Sequence, residues 1–247
     1  MLLVGHAYAP RNDEGRDRRG VATQARLRFG HGDAIVDRRV AVFGERQWQK
    51  ALLTLAPTEP APFEKMPLIY ERAFGGPDWG PNPVGVGMGA EPGADGLARL
   101  PNLEDPEALI DSPGDVPAPV CFGPVHPLWG ARWRGLGSYD ARWLRERWPY
   151  FPDDFDWAHF QCAPPAQRLE AIRGDEPFVL TGVHPDHTHL EGRLAGITPR
   201  CFMAVQGDAA GAPGADVAFE PVVLRLYTVL IDTDAMGAGK TSFRVVS

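Results

Sequence analysis

The stretch VATQARLRFGHGDAIVDRRVAVF, Val21–Phe43, carries the pattern of a β-hairpin. Val21, Thr23, Ala25, Leu27 and Phe29 alternate with polar residues and share one face, the period of a half-buried strand. Gly30-His31-Gly32-Asp33 is turn chemistry, and Ile35, Val36, Val40, Val42 and Phe43 supply the returning strand. Working outward, Leu2, Leu3 and Val4 open residues 1–8 as a short apolar strand with nothing before it, which suggests that further sequence once preceded it. Residues 56–67 hold Pro57, Pro60, Pro62 and Pro67 and should be extended loop. Residues 68–74 read as a strand, with Leu68, Tyr70, Arg72 and Phe74 on one face.

A second β-rich block is expected at 177–181, 188–194, 200–206, 217–220, 222–232 and 242–246, with GDAAGAPGAD (207–216) as a connecting loop. Between the two blocks the chain lacks periodicity. Residues 75–136 should be mostly loop, ordered by Trp79, Met88, Leu100, Leu103, Phe122 and Trp129, and least ordered over Gly85–Gly96. Tyr139–Trp148 is the clearest helix, with Ser138 to cap it, Pro149 to stop it, and Trp143, Leu144, Arg147 and Trp148 as its stripe. Pro152–Phe160 should add a tight helical turn opened by Asp153 or Asp154. The fold class is mainly β, a β-rich α+β domain spanning 1–247. It has antiparallel, sandwich-like sheets, long ordered loops and one or two short helices. Its core should come from the strands at 21–43, 177–206 and 217–246.

Composition narrows the function. The 28 glycines and 25 prolines, about a fifth of 247 residues, exceed the usual share of roughly 12% and favour short elements joined by structured turns. A net charge of -7 argues against nucleic acid, whose binders carry a basic face. The Arg16, Arg18, Arg19 and Arg142, Arg145, Arg147 clusters read as solvated faces. Cys121, Cys162 and Cys201 are isolated, as in a reducing compartment, and no run approaches the roughly 18 apolar residues of a membrane span. A cytoplasmic protein without membrane, nucleic-acid or small-molecule partners is expected.

Chemistry-bearing patterns are few. His184, His187 and His189 in HPDHTH have ligand types that suit zinc, against which stands an ordinary turn at Pro185-Asp186. Gly237-Ala238-Gly239-Lys240-Thr241 ends like a phosphate loop. Asp234, however, stands where that loop needs glycine, and the residues after Thr241 look like a strand instead of the helix such a loop opens. Asp153, Asp154 and Asp156, Glu104 and Asp105, and Asp232 and Asp234 could hide a carboxylate pair but read more simply as caps and turns. No nucleophile elbow occurs. Glu71-Arg72 reads either as a structural salt bridge pinning the long loop or as a direct partner contact.

Several long blocks share a family resemblance. LLVGHAYAP (Leu2–Pro10), RVAVFGERQW (Arg39–Trp48), MPLIYERAFGG (Met66–Gly76), NPVG (Asn82–Gly85), LPNLEDP (Leu100–Pro106), YDARWLRERWPYFPDDFD (Tyr139–Asp156) and TVLIDTD (Thr228–Asp234) resemble the domain of unknown function 2169 family of bacterial type VI secretion clusters. The resemblance implies a non-enzymatic adaptor or chaperone, without cofactor, that loads an effector, often PAAR-like, onto the VgrG spike. It also implies a further N-terminal β segment, which this chain lacks. FQCAPPAQ (Phe160–Gln167) departs from the Asn- and Asp-containing form expected there. Motif position and hot-spot chemistry point to Tyr70, Glu71, Arg72, Phe74, Trp79, Asn82, Asn102, Glu104, Asp105, Trp143 and Arg147 as partner contacts. They would form a surface of the Phe74–Trp129 loops and the 139–148 helix. The alternatives are a metal-dependent hydrolase built on His184, His187 and His189, and a structural β module of a longer protein.

Overall fold

The computed structural model describes residues 1–11, 20–51, 54–88, 98–196, 200–206, 217–223, 228–234 and 243–246. Its strands are β1 (Leu2–Val4), β2 (His6–Tyr8), β3 (Ala22–His31), β4 (Ala34–Phe43), β5 (Trp48–Ala51), β6 (Thr54–Pro57), β7 (Lys65–Pro67) and β8 (Phe74–Gly75). They continue as β9 (Val86–Gly87), β10 (Leu103–Glu104), β11 (Pro177–Thr181), β12 (His189–Arg193), β13 (Arg200–Gln206), β14 (Val217–Val223), β15 (Thr228–Asp232) and β16 (Phe243–Val246). The helices α1 (Gly130–Arg134) and α2 (Ala141–Glu146) lie between β10 and β11. The molecule is mainly β.

The hairpin is the centre of the largest sheet, ordered β10-β4-β3-β11-β12 and antiparallel throughout. Its register runs from Ala22 opposite Phe43 to His31 opposite Ala34, so Gly32 and Asp33 form the turn, with Gly32 at φ +54°. Ala25, Leu27 and Phe29 of β3, and Val36, Val40 and Val42 of β4, are buried on one face. Leu103, Phe178 and Leu180 from the flanking strands join them, as do Leu3, Leu68, Phe122, Val229 and Ile231. Each Val, Leu, Ile or Phe among them contributes about 1.5–3 kcal/mol by leaving water. A second sheet sets β1 parallel to β15 and β15 antiparallel to β16. Two-residue contacts and two-stranded ribbons complete the fold: β2 with β7, β5 with β6, β8 with β9 and β13 with β14.

Several local expectations are revised. Residues 70–72 form a 3₁₀ turn instead of continuing a strand, because the Ala73 N–H returns to the Tyr70 carbonyl at 3.1 Å. The helix is shorter than Tyr139–Trp148. Asp140 rather than Ser138 caps it, accepting the Trp143 N–H at 2.8 Å, while Ser138 bonds Asp154 instead. The next turn, Trp157–Phe160, opens at Asp156 and not at Asp153 or Asp154. The 56–67 stretch contributes to β6 and β7. β14 runs on to Val223, through Pro221, where a break was expected. The 207–216 loop, Gly237–Thr241 and residues 89–96 of the Gly85–Gly96 stretch lie outside the described residues.

Candidate functional site

All the residues chosen by motif position except Trp143 and Arg147 gather around the long loop, and five of these nine are buried. Tyr70, Phe74, Asn82, Asn102 and Glu104 are buried. The Asn82 carboxamide donates to the Tyr70 carbonyl at 2.8 Å and to the Phe74 carbonyl at 3.0 Å, closing the Phe74–Asn82 loop on itself. Arg72 donates to Glu45 at 2.6 Å and to the Asn102 side-chain oxygen at 3.1 Å, and Asn102 donates on to the Phe43 carbonyl at 3.1 Å. Arg72 is thus the structural bridge that pins the loop to the end of β4. Glu104 accepts from Arg46 and from the Ile110 N–H at 2.9 Å. Burial pushes its carboxyl above the ordinary range, and these two donors pull it part of the way back. Phe74 meets Trp79 edge to face at 5.2 Å, within a small core of Trp48, Leu100 and Ile110. The half-buried Asp105 accepts the Glu107 N–H at 3.0 Å, and Glu71 is exposed. The buried polar atoms of Asn82, Asn102 and Glu104 are thus bonded inside the molecule.

Trp143 and Arg147 lie elsewhere, in a segment that contrasts with this buried group. Between Leu128 and Phe160 the chain exposes apolar side chains in succession. Trp148 is 65% exposed, Tyr150 71% and Trp157 68%, with Trp133, Leu144 and Phe160 also open to solvent. Local bonding orders the segment. Arg132 donates to the His159 and Val125 carbonyls, each at 2.8 Å, which ties α1 to the 3₁₀ turn. The Asp156 N–H returns to the Gly135 carbonyl at 2.9 Å. Asp154 accepts from the Ser138 hydroxyl at 2.7 Å and from its N–H at 2.9 Å, and these bonds hold its carboxyl below the usual range. The Trp143 indole donates to the Tyr150 carbonyl at 2.8 Å, and Arg147 meets Asp153 at 3.0 Å. Phe151 stacks on Phe155 at 4.2 Å, and Trp157 stands edge-on to both at 5.4 Å. The result is a ring cluster of set geometry whose outer rim faces water. The sequence signal for Trp148, Tyr150, Trp157 and Phe160 was present in the aromatics of RWPYFPDDFDWAHF. Trp148 and Tyr150 lie inside the Tyr139–Asp156 block and Trp157 and Phe160 just past its end, while the hot-spot choice within the block fell on Trp143 and Arg147.

The histidine cluster is a turn. Nδ1 of His184 accepts the Asp186 and His187 N–H groups at 3.0 and 3.1 Å, and the His184 and His187 rings lie 4.8 Å apart. His189 turns away to Glu191 at 2.7 Å. Among the described residues no three His, Cys, Asp or Glu side chains are grouped to hold a metal ion. His184 also lines a cleft of about 460 Å³ beside Tyr8, Thr23 and Thr181, across which Arg11 pairs with Asp186. Among the described residues, no helix is long and apolar enough to cross a membrane.

No curated protein and no solved structure shows a match to the chain. A family model does match, over residues 1–238, and it takes in the hairpin, the buried loop residues and the exposed aromatic segment alike. The chain belongs to DUF2169, a family described as an uncharacterized protein conserved in bacteria.

Proposed function

We propose that the protein is a non-enzymatic adaptor that docks a protein partner on the aromatic surface of residues 128–160. The observation that carries this reading is the exposure of Trp148, Tyr150 and Trp157 on a segment already held in place by its own hydrogen bonds. Contiguous exposed apolar surface on a soluble domain marks an interaction site. Trp, Tyr and Arg are the residue types that dominate interface energetics. Rings fixed before binding also lose little entropy when the partner arrives. The blocks resembling type VI cluster proteins supply the finer reading. The partner is a secretion effector, often with a PAAR-like domain, and the destination is the VgrG spike.

The test is affinity capture from the native host, with the retained proteins identified by mass spectrometry. The wild-type chain is expected to retain an effector and a spike protein encoded near it. A Trp148→Ser, Trp157→Ser double variant should keep its melting temperature and retain the effector at least about 30-fold less well, since one hot-spot residue is worth about 2 kcal/mol. Equal retention by the folded variant would remove this surface from the reading. Absence of both effector and spike from the wild-type eluate would remove the adaptor reading itself.

A further inference from the structure

The five-stranded sheet has two edges, and they differ. β10 has two residues, and its surroundings are occupied: Leu103 bridges Ala73, and the Asn102 N–H takes the Arg72 carbonyl at 2.9 Å. β12 has five residues and pairs with β11 alone among the described residues. The register identifies which of its backbone groups face outward. The Gly182 N–H donates to the Thr188 carbonyl at 3.0 Å, and the Leu194 N–H donates to the Glu176 carbonyl at 2.9 Å. Both bonds continue the register that sets Phe178 opposite Gly192, so the hydrogen-bonded positions are Thr188, Leu190, Gly192 and Leu194. His189, Glu191 and Arg193 alternate with these and direct their N–H and C=O groups away from β11. All three are exposed, and no backbone bond occupies those groups among the described residues.

The side chains suit an incoming backbone. Gly192 carries none, and a Cβ there would run into the Phe178 ring. Leu190 packs against the core. His189, Glu191 and Arg193 stand together on the opposite face. Glu191 lies 2.7 Å from His189, and Arg193 lies 3.8 Å from Asp175. Charges along an edge ordinarily discourage indiscriminate pairing. Here a carboxylate precedes a guanidinium by two residues. That order favours a strand with a cation opposite Glu191 and an anion opposite Arg193, and it repels the reverse.

We infer that β12 is a strand-addition site, at which an extended segment of the effector pairs as a sixth strand with a basic residue opposite Glu191 and an acidic one opposite Arg193. The inference rests on the adaptor reading and adds a second contact, separate from the aromatic surface. The probe is the purified effector that the wild-type chain retains in the capture above. Amide hydrogen exchange by NMR on the wild-type protein should show the His189, Glu191 and Arg193 amides gaining protection when the effector is added. Glu191→Pro removes one outward N–H and no internal ladder bond, so it should bind the effector about tenfold more weakly with its melting temperature kept. Glu191→Thr keeps the donor and should lose clearly less. Binding without protection at those three amides overturns strand addition and leaves the adaptor reading standing. Failure of the wild-type chain to retain any effector overturns both. If Glu191→Pro does not fold, the exchange pattern of the wild-type protein decides alone.

Discussion

The buried carboxamide of Asn82 bonds two carbonyls of a loop that begins twelve residues before it. Gly85, three residues on, lies against the Ala73 carbonyl so closely that a Cβ would sit 2.6 Å from it. The NPVG block is therefore legible as a motif, and its Asn82 side chain closes a loop. Sequence marks a residue whose identity matters without saying which way it points. Cys121 makes the same point through its chemistry. It is 1% exposed, its sulfur accepts the Gly123 N–H at 3.4 Å, and burial pushes its thiol up to about 12. A thiol needs to ionise to react. In the native protein at about pH 8, iodoacetamide should leave Cys121 unmodified while the half-buried Cys162 reacts, as read by peptide mass mapping. Cys121 should become reactive only in denaturant. Modification of native Cys121 at the rate of a free thiol would contradict its placement.

α2 shows where element-level reading holds and where it stops. The spacing of Trp143, Leu144, Arg147 and Trp148 indicated a helix, and a helix is there. The same spacing gave an apolar stripe without saying what it faces, and α2 has no buried residue. Periodicity records which side chains share a face, not whether that face meets the core or a partner. At six residues α2 is also too short to persist on propensity. The Asp140 cap, the Trp143 to Tyr150 bond and the Arg147–Asp153 pair hold it. Asp140→Ala should cost about 1 kcal/mol, visible as faster amide exchange in α2. Leu144→Ser should shift global stability by less than about 0.5 kcal/mol, measured by urea denaturation, because it vacates no packed site. A large loss from Leu144→Ser would mean that this face is covered.

At the scale of the molecule, the segment from Leu100 to Ile110 supplies both apolar clusters and one half of a buried charged pair. Leu103 belongs to the main core, Leu100 and Ile110 belong to the smaller one, and Glu104, paired with the buried Arg46, lies between Leu103 and Ile110 in sequence. Arg46 also donates to the Pro101 carbonyl at 3.0 Å and lies 4.0 Å from the Phe43 ring centroid. Glu104→Ala would strand a buried guanidinium and the Ile110 N–H, at a cost of about 3–5 kcal/mol. Urea denaturation should show that loss, with Glu104→Gln less affected because its one carbonyl oxygen still accepts one of the two bonds. An unchanged midpoint for Glu104→Ala would show that the pair is not buried as described.

The alternating strands and the Gly32 turn were determined by the sequence alone, because each depends on neighbours a few residues apart. Tertiary structure decided which motif residues are interior, which aromatics face water and which sheet edge stays open among the described residues. Those outcomes depend on contacts between distant residues: Arg46 and Glu104 are 58 positions apart, and the Gln167 side chain reaches the Met1 carbonyl across 166. Burial is a property of such contacts, and no local pattern encodes it.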